Sequence, residues 1–261
     1  MEKSKTINYH RLLKQVIKIG GLLIECGAEI YRVEESIKRM LNAYPVESVD
    51  VFAIPSMIMV TLETPSQVSI TKNKRTFCKQ ADFNKLARLN NLVREISIKA
   101  PSLDVVEYSI NAIEQEMPYP RWIVILATAC LSAIFCLLVQ GGFDSALCAG
   151  AIVVLSQLVS QEMEKFHANT FFITIVASFI HTTLAGGIAN FFPSTEIDAM
   201  IIGTLVTLLP GLTFTTAIRD MITRDLLAGI LGLIETLLVA TSIAIGNSLA
   251  YLAISRLWEV F

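Results

Sequence analysis

WIVILATACLSAIFCLLV, residues Trp122 to Val139, decides the fold. It is a run of eighteen residues without a charge, and a helix needs roughly 20 apolar residues to cross a hydrocarbon core about 30 Å thick. Four further apolar stretches follow it: Ser145 to Ser160, Thr170 to Asn190, Ala199 to Ile218 and Leu226 to Ile254. The predicted class is an α-helical membrane protein with five transmembrane helices, preceded by a cytoplasmic α+β domain. Residues 1–116 form that domain, 117–121 a linker, and 122–261 a membrane domain with spans at about 122–139, 145–160, 170–190, 199–218 and 226–254.

Charge separates the two parts. Of the 21 Lys and Arg residues, 17 lie at or before Arg121, beside 14 of the 23 acidic residues, so a net charge of −2 joins a part of +3 to one of −5. His10, Arg11, Lys14 and Lys18 interrupt the first apolar positions, so no signal peptide is expected. The loops expected inside carry Arg121, Lys165, Arg219 and Arg224, whereas Gln140 to Asp144 and Phe191 to Asp198 carry no Lys or Arg. By the positive-inside rule the N-terminus is cytoplasmic and the C-terminus outside, with Arg256 the one basic residue on the outer side. Cys26 and Cys78 are then kept reduced, while Cys130, Cys136 and Cys148 fall in the membrane part; no pair has metal-ligand spacing, and all five read as packing residues. No cofactor, metal or nucleic acid is expected.

From Tyr9 to Ala43, Leu13, Val16, Leu23, Ile30, Ile37 and Leu41 follow a helical period and predict one long amphipathic helix. Glu34 with Lys38 and Glu35 with Arg39 are spaced to support it, and Gly20, Gly21 and Gly27 predict close packing or a break. Alternation in Val49, Val51, Ala53, then Ile58, Val60, Leu62, then Val68 and Ile70 after Thr64-Pro65-Ser66 predicts a small three-stranded antiparallel sheet. Helical spacing returns at Leu86, Leu89, Val93, Ile96 and at Leu103, Val106, Ile110, Ile113, with Pro101-Ser102 as a cap signal. Met117-Pro118-Tyr119-Pro120 forms a stiff approach to the membrane, with Arg121 and Trp122 as interfacial anchors. Lys72, Lys74, Arg75 and Lys79 read either as a site for an anionic metabolite or lipid headgroup or as a solvated turn. Glu25 and Glu29 are placed on one helix face around Gly27-Ala28, with Glu29 paired to Arg32 as the plainer reading.

Polar residues in the spans form stripes. Thr174, Ser178, His181, Thr182 and Ala185 share a face of the third span, and Glu235, Ser242 and Gly246 share a face of the fifth. Such stripes either hold helices together or line a path. Glu235 and His181 stand out, because an ionisable group within a span is costly unless paired, hydrated or neutralised. The fourth span reads Thr204, Thr207, Leu208, Leu209, Pro210, Gly211, Leu212, Thr213, Phe214, Thr215. Proline removes a backbone donor and clashes with the preceding turn, so the helix should break there. Broken helices offer main-chain groups to substrates in many carriers, which makes Thr207, Pro210, Gly211 and Thr215, with His181 and Glu235, the candidate substrate pathway. Asp144, Arg219 and Asp220 are candidates for gating or topology, and Gly27 and Glu29 for a motif of the N-terminal domain.

At these residues the chain resembles the threonine/serine exporter (ThrE) family, in its split form of a YjjP-like chain with a smaller YjjB-like membrane partner. The resemblance rests on Gly27-Ala28-Glu29, Tyr119-Pro120-Arg121-Trp122, Gly141-Gly142-Phe143-Asp144, and Leu209-Pro210-Gly211 through Asp220-Met221. It implies a multi-pass inner-membrane exporter of small carboxylate-bearing metabolites: threonine and serine, or dicarboxylates such as succinate. One set of five spans implies a hetero-oligomer with a separately encoded YjjB-like subunit. Two other classes are weaker. A membrane-anchored hydrolase would want G-x-S-x-G, H-E-x-x-H or a Cys/His pair in the soluble part, which has only His10, and a sensor or scaffold would leave efflux intact when deleted. No Walker-type G-x-x-x-x-G-K-[ST] supports an ATP-driven pump.

Overall fold

The computed structural model of the chain describes residues 7–76, 81–116, 119–223 and 225–258. The expectations for Cys78, Lys79, Met117-Pro118 and Arg224 lie outside these residues, as does the side chain of Arg256. Two compact units result: Met1–Met117 with Phe214–Leu233, and Pro118–Thr213 with Ile234–Phe261.

In the N-terminal unit, the helix expected from Tyr9 to Ala43 is two helices, α1 (Tyr9–Glu25) and α2 (Ile30–Asn42). Gly27 breaks it. Its φ of +86° lies in the left-handed region, and Ala28 N–H donates to Leu23 O while Gly27 N–H donates to Ile24 O, both at 2.9 Å. These are the two bonds of a Schellman motif, which only a residue tolerant of positive φ closes without strain. Glu25 therefore ends α1 and Glu29 caps α2, so they do not share a helix face. Gly20 serves the other expected purpose: a Cβ there would sit 2.7 Å from Ile37 Cδ1, so its absence lets α2 lie close on α1.

Strands β1 (Ser48–Ile54), β2 (Met57–Glu63) and β3 (Ser69–Arg75) form an antiparallel sheet in the order β1-β2-β3. Val51 faces Val60 and Val60 faces Lys72, while Ile58, Val60 and Leu62 are fully buried against the helices. Val68 falls before β3 and is exposed, which leaves Ile70 to carry the core face of that edge strand. Helices α3 (Phe83–Lys99) and α4 (Leu103–Glu114) complete the unit. Asp82 caps α3 by accepting from Lys85 N–H, whereas Ser102, in the cap position of α4, makes no side-chain cap bond. Fully buried Leu13, Leu23, Ile37, Leu41, Leu89 and Ile96 hold these elements together, each worth about 1.5–3 kcal/mol relative to exposure. Glu35 pairs with Arg39 at 2.6 Å. Glu34 instead accepts Ala53 N–H at 2.7 Å, tying α2 to β1.

Beyond residue 120 the elements are α5 (Arg121–Leu138), α6 (Phe143–Lys165), α7 (Thr170–Phe191), α8 (Ile197–Leu205), a 3-10 turn at Val206–Leu208, α9 (Gly211–Ile222) and α10 (Leu226–Trp258). Four of these helices are long and apolar enough to cross a membrane, five when the bent pair formed by α8 with its turn and α9 counts as one span. The second span is longer than its apolar stretch, since α6 continues from Ser160 to Lys165. Small residues set the packing of this unit, as expected where apolar area gives no preference between helix and lipid. A Cβ at Gly203 would meet Ser132 O at 2.8 Å, and one at Gly150 would meet Ala129 O at 3.3 Å. Cys26 and Cys136 are buried, Cys148 half-buried, and Cys130 lies on the exposed face of α5.

Gly246 sets the α7–α10 contact. A side chain there would overlap Ile175 O and approach Ser178 Cβ to 2.9 Å, so backbone rather than a movable side chain stands in the way. Gly246→Leu is expected to lower stability by roughly 1–3 kcal/mol or more. Gly187→Ala, where nothing lies within 4 Å, should leave the thermal midpoint unchanged or raised. Circular-dichroism melts of the two variants in detergent check both statements.

Candidate functional site

The break at Gly27 places Glu29 at the start of α2 with its side chain only 13% exposed. Glu29 Oε1 accepts from Arg219 at 2.6 Å, from the last turn of α9 and 190 residues away in sequence. Two candidate motifs that are remote in the chain, Gly27-Ala28-Glu29 and Arg219-Asp220, thus meet inside the N-terminal unit. Arg32 Nε lies 2.8 Å from Glu29 Oε2 but donates its hydrogen to Tyr31 Oη at 3.0 Å, so its contact with Glu29 is Coulombic. The Arg219 and Arg32 guanidinium carbons stand 5.9 and 5.8 Å from the Tyr31 ring centroid, within the range of cation–π attraction.

Asp220, next to Arg219, is 5% exposed, and its Oδ1 has no hydrogen-bond donor among the described residues. A buried carboxylate oxygen without a donor is costly, so this atom is held in place by the surrounding fold rather than by its own bonds. Asp225 Oδ1 accepts Ala228 N–H at 3.2 Å, opening α10. Nearby, burial pushes the Glu34 carboxyl above the usual carboxylate range, against the Ala53 amide that favours its charged form, with Asp225 adding to the rise. The cluster therefore collects four carboxylates around two guanidiniums at the junction of α2, α9 and α10.

The expected interruption of the fourth span is present. Helix α8 ends at Leu205, a single 3-10 turn follows, and Leu209 is extended with φ −65° and ψ 130° before Pro210. Leu209 N–H reaches Val206 O at 3.3 Å and Gly211 N–H reaches Leu209 O at 2.9 Å, so amides at the break are turned into local bonds. Thr207 is half-buried and donates to Thr204 O at 2.7 Å. Pro210 is half-buried, Gly211 and Thr215 are exposed, and a Cβ on Gly211 would meet nothing within 4 Å. Neither packing nor a positive φ within this chain requires glycine at 211.

A buried polar seam runs through α6, α7 and α10. His181, fully buried, has its Nε2 2.6 Å from Ser156 Oγ on α6. Ser178 Oγ donates to Ile243 O at 2.8 Å, and Thr182 Oγ1 to Asn247 Oδ1 at 2.5 Å, both on α10. Asn169 caps α7 by accepting Phe171 N–H. His181 Nδ1 has no partner among the described residues, nor has Thr183 Oγ1.

Glu235 does not join this seam. The bonds from Ser178 and Thr182 both cross 65 residues in the same direction, so α7 and α10 run parallel and Glu235 is level with Thr170, the first residue of α7. It is exposed there, roughly 16 Å along the axis from the level of His181 at 1.5 Å per residue. Ser242 and Gly246, on the same stripe, are buried because α7 covers that part of α10. Asp144 is exposed in the first turn of α6, where its charge favours the helix N-terminus. Glu196 ties that end instead: it accepts Gly142 N–H at 2.9 Å and Ser145 Oγ–H at 2.6 Å, and those bonds hold its carboxyl below the usual carboxylate range.

A family profile described as "Putative threonine/serine exporter", ThrE, matches residues 14–254. The chain belongs to this family. Its apolar helices, in a family of this kind, make it a multi-pass membrane protein. Among its ThrE relatives, a probable threonine/serine exporter of Mycobacterium tuberculosis is 22% identical over 245 residues, which are 92% of this chain and 46% of that protein. The threonine/serine exporter of Corynebacterium glutamicum is 24% identical over 240 residues, 89% of this chain and 49% of the relative. This ThrE chain thus spans about half the length of those two exporters. A probable succinate transporter subunit of Escherichia coli, YjjP, is 25% identical over 207 residues, 78% of this chain and 80% of the subunit. No solved structure matches.

Proposed function

We propose that this ThrE chain is a subunit of an inner-membrane secondary exporter of small carboxylate-bearing metabolites, threonine and serine or a dicarboxylate such as succinate, working with a YjjB-like membrane partner. The carrying observation is the exporter-family match from residue 14 to residue 254, which takes in both compact units and not the apolar helices alone. The relatives named as subunits of a succinate transporter support a partnered assembly. The distribution of Lys and Arg supports an N-terminal unit in the cytoplasm and a C-terminus outside.

In this reading the Glu29–Arg219 pair is an inner gate: it holds the end of α9 to the start of α2 and must loosen when the segment after Pro210–Gly211 moves. The substrate pathway runs past the interruption at Thr207, Pro210, Gly211 and Thr215, where a carboxylate binds by taking over donors that now make local bonds, at a helix break of the kind other carriers use. His181 acts from the polar seam by orienting the substrate or carrying a proton, and Glu235 lies near the cytoplasmic mouth.

Proteoliposomes test this. The chain with its partner, loaded in turn with labelled threonine, serine and succinate, should release at least one of them far faster than empty liposomes, at a rate that follows an imposed pH gradient. Release of all three at the background rate would overturn the reading.

A further inference from the structure

Along one side of the N-terminal unit, α1, β3 and α4 border a groove of about 510 Å³ lined by His10, Arg11, Lys14, Lys18, Lys72 and Glu107. The groove is built by two periodicities. Arg11, Lys14 and Lys18 follow at three and four residues, one stripe of α1. Lys72 pairs with Val60 in the sheet register and so stands on the core-facing side of an edge strand.

The charges of this groove are partly answered. Arg11 bridges Asp104 at 2.6 Å and Glu107 at 2.5 Å, and Lys18 bridges Glu114 at 2.6 Å, all three carboxylates coming from α4. Lys14 and Lys72 have no ion pair among the described residues. Gln15, 5% exposed, lies in the same wall and is fixed by donating Nε2–H to Leu103 O at 2.8 Å. The hydrogen bond and charge of Arg11, with a smaller contribution from Lys14, hold the Glu107 carboxyl below the usual carboxylate range. An inward lysine on an edge strand is a known guard against edge-to-edge pairing, but that role concerns Lys72 alone. It gives no reason for Lys14, between the two paired cations of the α1 stripe, to line the same space.

We propose that this groove binds a small dianion, a dicarboxylate or a phosphomonoester, held between the ammonium groups of Lys14 and Lys72. Arg11 and Lys18, already paired with the carboxylates of α4, flank the two lysines and leave them as the unanswered charges of the groove. The site belongs to the N-terminal unit and does not depend on the transport reading, because binding is measured without flux.

The test is calorimetry on the full chain in phosphatidylcholine nanodiscs, with malate and glycerol 3-phosphate as dianions and acetate as a monoanion. At least one dianion should bind saturably and at least tenfold more tightly than acetate. The double variant Lys14→Gln/Lys72→Gln should weaken it tenfold or more, and Lys99→Gln, outside the groove, should not. Both lysines are exposed, so the variants should fold. Equal affinity in the double variant, equal weakening by Lys99→Gln, or acetate binding as tightly as the dianions would overturn the proposal. Loss of dianion binding when the discs contain phosphatidylglycerol would assign the groove to lipid headgroups and overturn the free-ligand reading.

Discussion

Replacing Arg219 with alanine is expected to reduce efflux at least tenfold while lowering the stability of the chain by roughly 1–3 kcal/mol. The stability figure follows from exposure. Removing one partner of a fully buried ion pair costs about 3–5 kcal/mol, but Arg219 is 50% exposed and only Glu29, at 13%, is largely removed from water, so solvent screening takes away part of that cost. What remains is specific. Without Arg219, the Glu29 carboxylate loses a 2.6 Å hydrogen bond and faces the buried Asp220 with Arg32 as its remaining guanidinium. Glu29→Ala should lose a similar amount, and the double variant should lose clearly less than the sum, with a coupling of about 1 kcal/mol or more. Arg219→Lys keeps the charge but not the planar contact with Tyr31, so it should recover stability better than transport. If the pair is only a structural clasp, efflux will fall no further than the folded fraction does. Equal efflux per folded molecule in wild type and Arg219→Ala would remove the gate from the mechanism.

That pair also shows where a linear reading stops. The membrane segments were legible because lipid imposes length and composition on each one separately, as in Trp122 to Val139 and Thr170 to Asn190. The sheet was legible because alternation at Ile58, Val60 and Leu62 is local, and so was the interruption at Pro210, which the ring itself enforces. Gly27 was visible as a choice between packing and a break, and only the Schellman bonds settle it. Glu29 and Arg219 could each be picked out, but nothing in a sequence of single residues says that partners 190 positions apart will meet. Ser156, Asn247 and Glu196 carry no signal of their own for a related reason. A lone serine on α6 gains meaning only when His181 is opposite it, and Glu196 resembles any loop carboxylate until Gly142 and Ser145 converge on it. Glu235 shares a stripe with Ser242 and Gly246, but the covering helix α7 begins level with it, and where a neighbouring helix begins is not written in the stripe.

His181→Leu should leave the fold nearly intact and reduce efflux by tenfold or more. A buried polar residue is normally dangerous to delete because its partner is left without a bond. Here the partner has a second acceptor: Ser156 Oγ lies 2.6 Å from His181 Nε2 and also donates to Val153 O at 3.1 Å, so it stays satisfied when the ring is gone. His181 Nδ1 makes no bond among the described residues, and leucine fills most of the space with apolar volume. The replacement should therefore cost about 1 kcal/mol of stability or less, so a loss of efflux beyond that reports a role in transport rather than in packing. Thr182→Val is the contrasting case. It removes a donor to Asn247 Oδ1 at 2.5 Å and leaves that amide oxygen to find another partner, so it should lower the melting midpoint more than His181→Leu does. Melting curves and liposome efflux measured on both variants order the two effects. A His181→Leu chain that melts and transports like wild type would reduce the histidine to a core residue and move the search for the proton-carrying group to Asp220.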